Sequence, residues 1–195
     1  MRITSGSLRN RKLLAPKGVS TRPTLEIVRK SIFDALGPDF TYSTFLDIFA
    51  GSGAMSFEAL SRGFSHAYLI ENSFLAASCI RKNALSLELQ NSYTLYKKDA
   101  LKHIPKLKNK QFDIIFIDPP YSIASSENSC IKLSVQTLLC VDKANILAPK
   151  GILFLETSKN ALEDAFHTEL SFSNLQFVKK RSIGETVIYT FENKP

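Results

Sequence analysis

Little in this 195-residue chain could staple it or anchor it. Its three cysteines, Cys79, Cys130 and Cys140, form no C-x-x-C pair. That argues against a disulfide framework or zinc knuckle and predicts small buried hydrophobes instead. The three histidines, His66, His103 and His167, are scattered, so neither a metal site nor a catalytic triad is predicted. The longest apolar stretches, such as Ile114-Ile115-Phe116-Ile117, are far too short to cross a bilayer. No apolar signal-peptide core follows the basic start, which predicts a cytosolic protein. Acid is scarcest at the beginning. The first 30 residues hold one acid, Glu26, against eight bases: Arg2, Arg9, Arg11, Lys12, Lys17, Arg22, Arg29 and Lys30. That excess of seven equals the formal net charge of the whole chain, +7, so the rest is neutral. A basic arm on a neutral body predicts a polyanionic partner, with nucleic acid the first candidate.

At 44% apolar and 22% charged, the chain is ordinary globular material able to bury a core. Residues 1–15 read as a small β-hairpin turning through Gly6 to Asn10. Leu25, Val28, Ile32 and Leu36 recur at three- and four-residue spacing, which predicts a helix over 25–36 capped by Thr24 and stopped at Gly37-Pro38. From residue 44 strands and helices alternate. Strands are predicted at 44–49, 66–70, 92–97, 112–117 and 151–157, and helices at 52–61, 74–89, 100–107, 130–141 and 160–170. Two last strands, 172–179 and 185–191, are joined by a short loop holding Gly184 and form a hairpin. The expected fold is α/β: a doubly wound, mostly parallel seven-stranded sheet with an antiparallel C-terminal hairpin. The expected division is a basic extension over 1–37 and one compact body over 38–195.

Chemistry-bearing residues gather at predicted strand ends. The first group is Asp47-Ile48-Phe49-Ala50-Gly51-Ser52-Gly53, where strand one turns into a helix. Glycines there admit a ligand close to the backbone. Ser56 stands where a dinucleotide fingerprint needs its third glycine, and no phosphate loop with a lysine follows. Asp47 would repel a pyrophosphate and suits a cationic ligand. Glu71, twenty residues after Gly51, can accept both hydroxyls of a ribose. Asp99-Ala100 ends strand three, where an adenine edge would lie. Together they describe a nucleoside pocket with no anion site, which S-adenosylmethionine fits.

The last group is Asp118-Pro119-Pro120-Tyr121, directly after an apolar strand. An exocyclic amino nitrogen of a nucleobase must pyramidalise before it attacks a methyl group. The Asp118 carboxylate and the Pro119 carbonyl can accept its two hydrogens and stabilise the charge that develops. The prolines fix the backbone and offer no competing N–H. Tyr121 can stack on an everted base.

These motifs resemble the class I S-adenosylmethionine-dependent methyltransferases that act on amino nitrogen. The flanks are similar to RsmD-type 16S ribosomal RNA guanine-N2 methyltransferases: Met1-Arg2-Ile3 with Gly6, Arg11-Lys12-Leu13, Arg22-Pro23-Thr24, Glu58 to Gly63, Asn83 and the C-terminal hairpin. Ser5-Gly6 and Asn10-Arg11 depart from that family's glycine pair and Gly-Arg. The resemblance implies that Asp47, Phe49, Ala50, Gly51, Ser52, Gly53, Glu71, Asn72, Asp99 and Ala100 bind the cofactor. It implies that Asp118, Pro119, Pro120 and Tyr121 hold the target guanine, and that Arg9, Arg11, Lys12, Arg22 and Arg29 contact RNA phosphates. The implied substrate is ribosomal RNA or the small ribosomal subunit. No metal, membrane or obligate protein partner is expected. A DNA adenine-N6 or cytosine-N4 methyltransferase can use the same tetrad but usually carries a target-recognition domain, for which this length leaves no room. A catalytically inactive RNA-binding assembly factor is the alternative from another class, and the intact tetrad argues against it.

Overall fold

The computed structural model describes residues 1–16, 23–37, 42–120, 127–158 and 171–194. The alternating rhythm of the sequence is realised as helix α1 (Pro23–Ala35), strand β1 (Thr44–Ile48), α2 (Ala54–Ser61), β2 (His66–Ile70), α3 (Phe74–Ser86) and β3 (Tyr93–Tyr96). Then come α4 (Ala100–His103) with a 3-10 turn (Ile104–Leu107), β4 (Phe112–Ile117), α5 (Glu127–Ala144), β5 (Leu147–Ser158), β6 (Leu175–Ile183) and β7 (Thr186–Asn193). The strand order is β3-β2-β1-β4-β5-β7-β6 in one seven-stranded sheet. β1 with β2, β2 with β3 and β4 with β5 pair in parallel, whereas β5 with β7 and β6 with β7 pair antiparallel, so the antiparallel C-terminal hairpin is as expected. The helix expected over 160–170 lies outside the described residues.

The boundaries differ from the periodicity reading for local reasons. Helix α1 opens at Pro23, one residue before Thr24; proline's fixed φ and missing N–H suit the first helical position. Strand β1 stops at Ile48 because Phe49 takes a left-handed φ of 69°. The following helix starts at Ala54, after Gly53 at φ 78°, rather than at Ser52. Strand β5 begins four residues before Gly151, and its register with β4 slips between Phe112 and Ile114. A Cβ on Gly151 would stand 2.8 Å from the Asp113 carbonyl oxygen, so glycine is what lets the strands approach there.

The chain divides into two compact units, Met1–Asp99 and Ala100–Pro195. In the first, Phe57, Leu69, Ile80 and Ala84 form a core that Ile3 and Leu13 of the N-terminal segment join. In the second, Ile114, Ile115, Leu153 and Leu155 are buried, as expected of strands covered on both faces. Asp142, at the end of α5, accepts the backbone amides of Ser173, Asn174 and Leu175, each at 2.8 Å, and so fixes the entry to β6. Cys79 is buried as expected, whereas Cys140 is only partly covered; Cys130's surroundings are not among those described. Among the described residues no helix is long and apolar enough to cross a membrane.

Candidate functional site

The turn after β1 is held by its own backbone. The amides of Phe49 and Ala50 both donate to the Ile70 carbonyl, at 3.0 and 3.1 Å. The Gly51 amide donates to Glu71 Oε2 at 2.8 Å, and the Gly53 amide to the Ala50 carbonyl at 2.8 Å. Four of the five amides from 49 to 53 therefore point into the protein. A phosphate-binding loop does the reverse and turns its N–H groups toward the ligand. With carboxylates at 47 and 71 as well, this turn suits an uncharged or cationic group.

The two glycines serve different ends. Gly53 at φ 78° lies so close to the core that a Cβ would meet Phe57 Cε2 at 2.7 Å. Gly51 at φ 55° has nothing among the described residues within 4 Å of where a Cβ would stand, which leaves space on that side of the backbone. Gly53 packs the turn, and Gly51 is the position at which a ligand can approach the backbone.

Glu71 closes β2. One oxygen receives the Gly51 amide and the other the Ser73 amide at 2.7 Å, which pins the carboxylate beside the turn. Each oxygen has a second lone pair for a hydroxyl. Asn72 beside it is exposed. Asp99 is exposed immediately before α4, and in the second unit Ala100 is buried as that helix's first residue.

Asp47 lies beneath the turn at 2% exposure. Its carboxylate accepts the Ser56 hydroxyl at 2.8 Å and the Ser56 amide at 3.3 Å, tying β1 to α2. Burial pushes its pKa from 3.8 up to about 7, against the opposing pull of the Ser56 bonds and with a smaller push from the Glu71 charge. Ser56, noted in the sequence only as a missing glycine, is thus the partner that orients Asp47. Such a carboxyl holds its proton more tightly when folded than unfolded. Its contribution to stability is full below about pH 3.8 and is lost as pH rises through about 7. Asp47→Asn keeps an acceptor for Ser56 and removes this titration. Relative to wild type, the variant is expected to gain on the order of 4 kcal/mol between pH 4 and pH 8. Urea denaturation of both proteins at several pH values checks this, and parallel profiles would refute it. Glu156 on β5 is likewise pushed up to about 7 by burial, but it titrates in both proteins and cancels.

In the second unit, Asp118 directly follows the buried Ile117 of β4. It is half-buried, Pro119 is buried and Pro120 is exposed. Tyr121 lies outside the described residues.

Two residues with no expected structural role organise the N-terminal segment. Glu58, fully buried on α2, accepts the Thr4 amide and hydroxyl at 2.8 and 2.6 Å and the Ser5 amide at 3.0 Å. It also pairs with Arg29 at 3.2 Å and Arg62 at 2.9 Å. A lone acid among the small and apolar residues of α2 was the available signal. Asn83, buried on α3, receives the Leu14 amide at 2.8 Å and donates to the carbonyls of Leu14 and Ser52 at 3.1 and 3.0 Å. The expectation that Arg29 meets RNA is corrected by this arrangement. Arg29 is 3% exposed, and besides Glu58 it donates to the Arg2 carbonyl at 2.6 Å, so no phosphate can reach it. Arg9, Arg11 and Lys12 are exposed, and Arg22 lies outside the described residues.

Comparison with known proteins gives a consistent picture. A family model described as Conserved hypothetical protein 95 matches residues 1–192. A Bacillus subtilis protein named putative rRNA methyltransferase YlbH is 43% identical over 123 residues, covering 62% of this chain and 67% of that one. The Haemophilus influenzae ribosomal RNA small subunit methyltransferase D is 32% identical, covering 82% of this chain and 80% of that one. A solved structure of a putative methylase from the same organism superposes with a TM-score of 0.76 at 26% identity, covering 100% of this chain and 98% of that one.

Proposed function

We propose, from the premise that this chain belongs to the Conserved hypothetical protein 95 family of RsmD-type methyltransferases, that it methylates small-subunit ribosomal RNA at the exocyclic N2 of a guanine. The methyl donor is S-adenosylmethionine, whose sulfonium supplies an electrophilic methyl group. The observation that carries the reading is the inward-turned loop at 49–53 with open space over Gly51 and Glu71 bonded to its amide. It supports a nucleoside ligand without phosphate. In this reading Ala50, Gly51 and Ser52 face the methionine part, with Phe49 and Gly53 shaping the turn and Asp47 supporting it from below. Glu71 and Asn72 take the ribose, and Asp99 and Ala100 the adenine.

Asp118 and the Pro119 carbonyl accept the two amino hydrogens of the guanine, which turns the nitrogen lone pair toward the methyl group. Pro120 stiffens the backbone there, and Tyr121 stacks on the base. As the N–C bond forms, the C–S bond breaks and its electron pair stays on sulfur, giving S-adenosylhomocysteine. The proton then leaves the alkylated nitrogen for Asp118 or water. Most of the rate comes from orientation and from stabilising charge on the nitrogen. The basic extension over 1–37, through Arg9, Arg11 and Lys12, grips RNA phosphates for the methyltransferase body over 38–195.

The test offers labelled methyl donor with small-subunit ribosomal RNA, intact small subunits and duplex DNA in parallel, followed by nucleoside mass analysis. N2-methylguanosine in the ribosomal substrates alone is the expected product. Label in N6-methyladenine or N4-methylcytosine of DNA would overturn the assignment.

A further inference from the structure

We infer that the exposed face of helix α3 is the second half of an RNA-docking surface whose first half is the N-terminal hairpin, closed by the antiparallel bridge between Arg2 and Lys12. This rests on the ribosomal RNA reading above and adds residues that the charge of the first 30 residues did not point to. Residues 1–16 carry four bases, Arg2, Arg9, Arg11 and Lys12, and no acid. Helix α3 carries Arg81 and Lys82 and also no acid. Two acid-free segments far apart in the chain are built into one surface. The Arg11 guanidinium donates to the Ser86 carbonyl at the end of α3, where a helix leaves its last carbonyls without partners. One turn earlier, Asn83 holds both the amide and the carbonyl of Leu14.

The exposed residues of α3 confirm a single face. Leu75, Arg81, Lys82, Leu85 and Ser86 are all exposed and fall within an arc of about 140° at 3.6 residues per turn. None of Arg9, Arg11, Lys12, Arg81 or Lys82 takes part in an ion pair among the described residues. Large apolar side chains stand among these cations at high exposure: Leu14 at 54%, Leu75 at 63% and Leu85 at 64%. Uncompensated cations interleaved with exposed leucines suit a nucleic-acid backbone, with phosphates on the cations and sugar or base faces on the leucines. A second copy of this chain is disfavoured by charge. A two-fold contact through this face would set its cations against the same cations.

The experiment measures binding of a small-subunit ribosomal RNA transcript at several salt concentrations by three proteins: wild type, Arg81→Gln/Lys82→Gln, and Arg9→Gln/Lys12→Gln. Arg11 is left in place because it joins the hairpin to α3. The helix double variant is expected to bind about tenfold more weakly, with the salt slope reduced by about 1.5, while cofactor affinity by calorimetry stays at the wild-type value. If the helix variant matches wild type in affinity and slope while the hairpin variant loses both, the α3 face is refuted and the RNA reading stands. If wild-type protein shows no salt-dependent RNA binding, both are refuted. A change of sedimentation in the helix variant with RNA affinity unaltered assigns the face to a second copy and overturns the proposal.

Discussion

Asp118→Ala is expected to lower methyl transfer to ribosomal RNA by at least about 100-fold while leaving the affinity for S-adenosylmethionine near the wild-type value. In the reaction proposed above the loss falls on the chemical step, because there the carboxylate would meet the charge developing on the amino nitrogen. Interactions that strengthen only in the transition state set kcat rather than binding. Asp118 directly follows β4 in the second unit, whereas Asp47, the turn at 49–53 and Glu71 lie at the ends of β1 and β2 in the first. None of the hydrogen bonds described for the turn at 49–53 involves Asp118. Asp118→Asn keeps one carbonyl acceptor and is expected to retain part of the activity. Single-turnover methyl incorporation measures the first quantity and calorimetry the second. An Asp118→Ala protein turning over at the wild-type rate would remove this residue from the mechanism. Equal losses of transfer and of cofactor binding would make its role structural.

Glu58→Ala is expected to destabilise the protein by about 3–5 kcal/mol, a large share of the roughly 5–15 kcal/mol that holds a domain folded. The carboxylate is completely buried and collects five donors: the Thr4 amide and hydroxyl, the Ser5 amide, and the side chains of Arg29 and Arg62. Without it Arg29 keeps a guanidinium in the interior with, among the described residues, only the Arg2 carbonyl to answer it. Arg62 retains Asp34, whose side chain is 54% exposed, at 3.3 Å. The cost is thus mainly that of stranding buried charge. Glu58→Gln preserves shape and one acceptor, and its smaller loss separates charge from contact. Denaturant unfolding gives the magnitude. Hydrogen exchange at the Thr4 and Ser5 amides, expected to quicken in Glu58→Ala, locates the release of the hairpin. Unchanged midpoint and exchange would show that Glu58 is not what fastens it.

The fate of Arg29 also revises the charge arithmetic. Its cation is matched by Glu58 inside the first unit, so it adds nothing to the surface. Lys82 and Arg81 lie in a stretch that the residue counts treated as neutral, yet they stand exposed beside the hairpin's own cations. Formal charge per segment missed both facts because it ignores which side chains are covered and what they cover.

How much could be read in advance depended on the range of the forces involved. The order of strands and helices follows from local apolar periodicity, so the sheet and its reversed C-terminal hairpin were legible, with errors of one to a few residues where backbone strain intervened. Phe49 at φ 69° shows the limit: nothing in an aromatic residue announces a left-handed turn, which the bonds to Ile70 impose. The glycine turn, Glu71 and the Asp118 tetrad stand out in the sequence because their residue types are rare at strand ends without a chemical reason, and of these the structure joins Gly51 to Glu71. Which face each glycine serves was not legible. That depends on Phe57 approaching Gly53 and nothing approaching Gly51. The sequence by itself determined the class of fold and the excess of bases over acids in the first 30 residues, and it put forward residues for a nucleoside and an amino nitrogen. Only the tertiary structure decided that the loop amides turn inward, that Glu58 takes Arg29 out of the arm, and that Asn83 and Arg11 seat the hairpin along α3. Apart from the Gly53–Ala50 bond within the loop itself, those outcomes rest on hydrogen bonds between residues 20 to 75 positions apart, and such pairings are fixed by packing rather than by any local pattern.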